Sequence, residues 1–324
     1  MTDIYSTYPL DGALPDDPTI EAPVMELQAG APQTPSMVDL ARYCSPVEDQ
    51  GHVGSCVANA VVGALEYLLL RDGNGYKDLS RLFVYYNARR LGDRIGASGT
   101  TTQRAMAAVM GWGVCPASMW PYEPLAVDAR PTNDCYEKAE GFKGLQVAQT
   151  SWGDGVRHML ANGLPVCFAM RVAPGDFAKA RESGHLQPSL KGQWEQAGGG
   201  HAMLMVGYDD HRNAWLVRNS WGQGWGKRGY VWIDYNYLPY YTTGENYRAP
   251  PWVISQTEAL NGFARRGPTL DQFTSSLLGR APAELRSALR PMKQEIGNTL
   301  SSNLNTVRNS LKDRLRGPGA GGGY

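Results

Sequence analysis

Gln50-Gly-His-Val-Gly-Ser-Cys56-Val-Ala-Asn-Ala-Val-Val-Gly-Ala-Leu-Glu-Tyr-Leu-Leu-Leu70 is the most informative stretch of this sequence. From Cys56 onward it is apolar on nearly every face, and Arg71-Asp72-Gly73 supplies a stop signal. Fifteen residues are too few to cross a bilayer, so the pattern predicts a helix buried at the centre of a domain. Ser80 opens a second helical stretch with Leu82, Phe83, Tyr86 and Leu91 on one side, and Thr101 to Met110 reads as a third. Beyond these the period changes. Residues 165–172, 202–207, 214–218 and 229–233 read as strands, with a hairpin turn from Asp209 to Asn213. Helices first and strands later predict an α+β fold of two segregated layers, with a cleft between them.

The chain has 324 residues, enough for one large domain or two ordinary ones. Its Lys+Arg and Asp+Glu counts are both 31, which excludes a global nucleic-acid-binding field. No apolar run approaches the roughly 18 residues of a membrane span. The opening residues Met1 to Ser6 have neither a basic nor an apolar region, so no classical secretory leader is expected and the protein would be cytoplasmic or exported by another route. The balanced total hides unlike ends. Residues 1–37 carry six acids, six prolines and no Lys or Arg, and read as an extended arm. Residues 259–324 carry ten basic residues against four acidic ones. All nine Trp lie between 112 and 252, so the globular domain is placed at 38–258.

Cys56 sits at the start of the buried helix, where unpaired amides and the helix dipole favour a thiolate. A cysteine there is most often a small buried hydrophobe, but its flanks are unusual. Gly54-Ser55 permits close approach of another backbone, and Gln50 carries a side-chain amide able to reach an oxyanion beside the Cys56 N–H. A nucleophilic thiol needs a base, and the base needs an orienter. Of the five histidines, His158 falls mid-helix, His211 falls on a turn, and His52 and His185 fall in loops. His201 opens a strand after Gly198-Gly199-Gly200, where the backbone can pass close to a bound peptide. Eighteen residues later Asn219 ends the hairpin's second strand, so its oxygen can orient the imidazole while Trp221 roofs that bond against water.

These motifs, Gln50-x5-Cys56, Gly200-His201-Ala202 with Val206-Gly207-Tyr208, Asn219-Ser220-Trp221-Gly222, then Gly224-Trp225-Gly226 and Gly229-Tyr230, resemble the papain family of cysteine peptidases. The nearest likeness is to its bacterial branch, through openings such as Tyr43-Cys44-Ser45-Pro46-Val47. The likeness covers about 38–258 and implies a papain-like two-layer fold, with the active-site cleft between a helical half and an antiparallel β half. It further implies endopeptidase chemistry through a thioester. Cys56 is the nucleophile, His201 the acid and base, Asn219 its orienter, and Gln50 with the Cys56 amide the oxyanion hole. Ser98-Gly99 would present backbone to an extended substrate, and Gly200 and Trp221 would border it. Three departures stand out: Val53 replaces a half-cystine, Val57 replaces an aromatic residue, and 37 residues are short for a helical prosegment.

No cofactor or metal is expected, since the five cysteines (44, 56, 115, 135 and 167) contain no Cys-x-x-Cys pair. The four besides Cys56 are expected to be reduced thiols. Protein or peptide is the expected substrate. A papain-like amidase or acyltransferase is the enzymatic alternative, and a binding module with a permanently filled cleft is the non-enzymatic one. The intact Cys-His-Asn-Gln set argues against the latter. The arm, if long enough to lie in the cleft or to pair with the basic end, would lower activity. After Pro291, apolar residues from Met292 to Leu315 recur every three or four positions, predicting an amphipathic helix before a Gly-rich tail. That helix would pack on its own domain, self-associate or dock on another protein, with a basic membrane-surface helix as a further reading.

Overall fold

A computed structural model describes residues 8–139, 146–187, 198–242, 249–255 and 263–280. The central helix, α1 (Cys56–Arg71), is buried along most of its length. It packs on α2 (Arg81–Leu91) and on α3 (Thr102–Trp112). Ser80 caps α2 by accepting the Phe83 N–H at 3.1 Å, and Thr101 caps α3 by accepting from Arg104 at 3.0 Å. A helix apolar all round needs partners on every side, and the sheet provides the remaining one. Its strand β8 (Gly200–Asp209) has all ten residues buried, lies under α1, and pairs antiparallel with β6 (Val166–Arg171) and β9 (Ala214–Arg218). The next strand, β10 (Tyr230–Asp234), pairs antiparallel with β9. The four strands read from sequence are all present, and β8 extends beyond its predicted span because it is buried on both faces.

Gly63 of α1 marks the closest approach of the layers. A side chain there would strike the guanidinium of Arg218, which is buried and donates to the Ser45 hydroxyl at 3.2 Å and the Pro46 carbonyl at 2.5 Å. The end of β9 is thereby tied to the loop that leads to Gln50.

The proline-rich arm is extended, yet it is built into the fold residue by residue. Leu10, Ala13, Ile20, Ala22 and Met25 are buried although they form no helical or alternating pattern. The pair β1 (Ala13–Leu14) runs parallel to β4 (Thr100–Thr101). The strand β2 (Val24–Leu27) joins β5 (Gln146–Gln149), and β3 (Met37–Asp39) pairs with β8. From the other end of the chain, β12 (Phe263–Arg266) adds to β2 as an antiparallel ladder, and the helix at Leu270–Gly279 packs on α3. The helix predicted between Met292 and Leu315 lies outside the described residues. No helix among the described residues is long and apolar enough to cross a membrane. His185, read as a loop residue, opens a two-residue strand beside β10, and its Nε2 lies 2.6 Å from Asp234 Oδ1.

Candidate active site

Cys56 is the first residue of α1 and is fully buried. Its sulfur meets the backbone N–H groups of Ala202 and Val57, which favour a thiolate, but burial outweighs them and pushes the thiol up to about 12. Ala202 follows His201 on β8, so the helix start and the strand start converge on one point. His201 is fully buried, and its Nε2 lies 2.8 Å from Asn219 Oδ1. Burial pulls the imidazole down to about 4 against the opposing effect of Asn219. The Asn219 oxygen accepts, so Nε2 carries the proton and Nδ1 is the free ring nitrogen. Among the described residues Nδ1 has no hydrogen-bond partner. Trp221 stacks on the imidazole at 4.5 Å between centroids, and Phe177 stands edge-on to His201 at 6.3 Å. The aromatic cover shields the His201–Asn219 bond from water.

Gln50 is also fully buried. Its Nε2 donates to the Val53 carbonyl at 2.9 Å, and its Oε1 accepts from the Ser220 hydroxyl at 2.6 Å. The Gln50 backbone N–H in turn donates to the Ser220 carbonyl at 2.9 Å. One carboxamide hydrogen is thus committed and the other is left for a ligand. The sequence shows Ser220 only as part of a motif. That it holds Gln50 becomes visible when residues 170 positions apart meet.

Ser98, Gly99 and Trp221 all meet the arm, and Gly200 follows Gly199, which does so too. Ser98 Oγ donates to Asp11 Oδ1 at 3.0 Å. Gly99 has φ +77°, and a side chain on it would strike the Asp11 carbonyl. Thr100 donates its N–H to the Gly12 carbonyl at 3.1 Å. On the opposite wall Gly199, next to Gly200, faces the Leu10 carbonyl at a spacing that leaves no room for a Cβ. Tyr8 stacks flat on Trp221 with centroids 4.6 Å apart, and its hydroxyl donates to the Trp221 carbonyl at 3.1 Å. Tyr8, Gly12 and Tyr122 (a residue of the 113–132 loop) carry no signal in the sequence that ties them to this site.

Residues 34–245 match the model of the papain family cysteine proteases. Xylellain, a cysteine protease from Xylella fastidiosa, is similar in structure with a TM-score of 0.65 and 28% identity, covering 77% of this chain and 97% of its own. A cathepsin L-like peptidase of Aedes aegypti is 29% identical over 222 residues, 65% of this chain and 62% of that protein. An uncharacterised peptidase C1-like protein of Acanthamoeba polyphaga mimivirus is 31% identical over 220 residues, 64% of this chain and 69% of its own length. A central helix packed on a mainly antiparallel sheet, with the helix start meeting the strand start, is the α+β architecture of papain-like cysteine peptidases, a class of hydrolases. The chain belongs to the papain family of cysteine proteases.

Proposed function

We propose that this chain is a cysteine endopeptidase of the bacterial papain-like branch, held in check by its own N-terminal arm. What carries the reading is the occupant of the groove: an extended peptide, Leu10 to Leu14, lies against Cys56, Ser98-Gly99 and Gly199. A groove that holds one extended backbone through backbone contacts suits peptide substrates in general. The likeness to xylellain supports the bacterial assignment.

In the open cleft the Cys56 thiol passes its proton to His201, and the thiolate attacks the scissile carbonyl carbon. The oxyanion is held by the Cys56 N–H and the uncommitted Gln50 amide hydrogen. Collapse expels the amine, which takes the proton from His201 and leaves a thioester on Cys56. His201 then draws a proton from water, which attacks the thioester and frees the acid. Asn219 holds Nε2–H throughout, which leaves Nδ1 as the nitrogen that takes and returns the proton.

The division of the chain follows from the same reading: an inhibitory arm at 1–37, a catalytic domain at 38–258, and an extension at 259–324 whose residues 263–280 hold the arm down. Arg280 bonds Asp17 at 3.0 Å and the Thr19 hydroxyl at 2.7 Å, and Arg266 pairs with Glu26. Asp16, buried, accepts from the Gln103 N–H at 3.0 Å and from Trp252 Nε1 at 2.8 Å. The test is hydrolysis of casein and of a short unstructured peptide by wild type and by Cys56→Ala and Gln50→Ala. Cys56→Ala should be inert, and Gln50→Ala should lose on the order of 10²-fold in kcat. Undiminished turnover in Cys56→Ala, or activity on small non-peptide amides with none on peptides, overturns the reading.

A further inference from the structure

Ser55 stands at the N-cap of α1, where a serine hydroxyl normally accepts from an N–H in the first helical turn. Here it makes no capping bond. Its Oγ lies instead 2.6 Å from the hydroxyl of Tyr122, which is also 2.9 Å from the Gln50 carbonyl oxygen. The proton order of this bridge follows from the groups themselves. A carbonyl can only accept, so Tyr122 donates to Gln50 and has no second proton to give. Ser55 must therefore donate to Tyr122, and the Ser55 oxygen accepts from Asn59 Nδ2 at 3.0 Å. A one-way chain runs from Asn59 through Ser55 and Tyr122 to Gln50.

The two ends of that chain belong to the two halves of the oxyanion hole. Ser55 contributes the carbonyl half of the peptide whose N–H is that of Cys56, and Gln50 supplies the side-chain amide. The separation of these two donors decides whether both reach one oxygen, and a misplacement of about 1 Å can cost on the order of 10²-fold in rate. Tyr122 lines a cavity of about 510 Å³ with Glu48, Ser80 and Arg81, and its two hydroxyl bonds tie the polar end of the ring to Ser55 and Gln50.

We propose that Tyr122 is a positioning residue for the oxyanion hole, its hydroxyl setting the distance between the Gln50 and Cys56 donors by bridging Gln50 to Ser55. The proposal rests on the peptidase reading above, and it touches no reacting atom. In the full chain, Tyr122→Phe keeps the ring and deletes the bridge. Its kcat on a peptide should fall by about tenfold with KM within about twofold. The rate of Cys56 alkylation by iodoacetamide, which forms no oxyanion, should also stay within about twofold. Ser55→Ala, cutting the chain at its other end, should show the same split, and the double variant should be no worse than about twofold below either single one. A kcat equal to wild type in Tyr122→Phe overturns the proposal. So does a parallel fall in alkylation, or independent multiplication of the two defects. If neither the wild-type chain nor its Gly12→Val variant, whose arm cannot seat, hydrolyses any peptide, the earlier reading fails and the proposal falls with it.

Discussion

Gly12 of the arm lies directly against the sulfur of Cys56: a Cβ at position 12 would stand 2.7 Å from Cys56 Sγ and 3.0 Å from the Gly54 carbonyl oxygen. Neither the sulfur, at the end of a fully buried helix start, nor the Gly54 backbone is free to give way. A glycine is therefore required for the arm to seat, and its absence of a side chain is what brings a peptide backbone over the Cys56 sulfur.

Gly12→Val should lift the arm from the groove without touching the catalytic domain. We expect kcat/KM of the full chain on a short peptide to rise by about tenfold or more, a change of about 1.4 kcal/mol in arm seating. Trimming the chain to 15–324 should do the same while leaving β2, β3 and the Asp16 anchor in place. Residues 38–324 would be released too, but lose β2 from the sheet and should melt lower than 15–324. Because the groove contacts are mainly backbone, the gain should change little with salt, whereas the Arg280–Asp17 contact should weaken. Equal kcat/KM for wild type, Gly12→Val and 15–324 would show that the arm does not restrain the enzyme.

Alkali should loosen the arm. With the arm seated, the Cys56 thiol keeps its proton to about pH 12 and His201 stays neutral down to about pH 4, so the two groups hold one proton between them. In a cleft open to water they also hold one proton near neutrality, now on His201 beside the thiolate, so seating should change little between pH 7 and 5. Above about pH 9, near the ordinary thiol value, the open form loses that proton while the closed form keeps it, and seating weakens by up to roughly 1.4 kcal/mol per pH unit. The ratio of full-chain to 15–324 activity should therefore be flat from pH 5 to 7 and rise several-fold from pH 9 to 10. A ratio that stays flat above pH 9 would show that seating does not depend on the thiol proton.

In the arm-trimmed chain, His201→Ala should remove both turnover and rapid alkylation of Cys56, since the thiolate loses its cationic partner. Asn219→Ala should keep measurable activity, lowered on the order of 10-fold to 10²-fold, because Asn219 fixes only the ring's orientation and tautomer. Iodoacetamide kinetics from pH 5 to 9 separate the two variants. Equal alkylation rates near neutral pH in the trimmed chain and its His201→Ala variant would remove His201 from the mechanism.

The helical half was legible in sequence because its signals are local. The apolar run from Cys56, the Ser80 and Thr101 caps and the turn at Asp209–Asn213 each act within a few residues, and the structure places the elements within one or two positions of the expected ends. The candidate set Cys56, Gln50, His201 and Asn219 stood out for a different reason: thiol chemistry calls for a few residue types at recognisable spacing, and the structure brings His201 and Asn219 together. The arm was legible only as an acidic, proline-rich segment. Its apolar residues fill separate recesses made by other elements, so no periodicity betrays their burial.

What tertiary structure alone decided is where that arm runs and what steadies the site. Tyr8 meets Trp221 across 213 positions, Asp16 meets Trp252 across 236, and Tyr122 reaches Ser55 across 67. None of these contacts is encoded by a local pattern, because each depends on two surfaces that exist only after the helical layer and the sheet have packed. The amino-acid sequence by itself determined the elements and the reactive groups. Packing determined that a fully buried thiol and imidazole lie beneath the chain's own glycine, since burial is a property of the assembled layers and not of any segment within them.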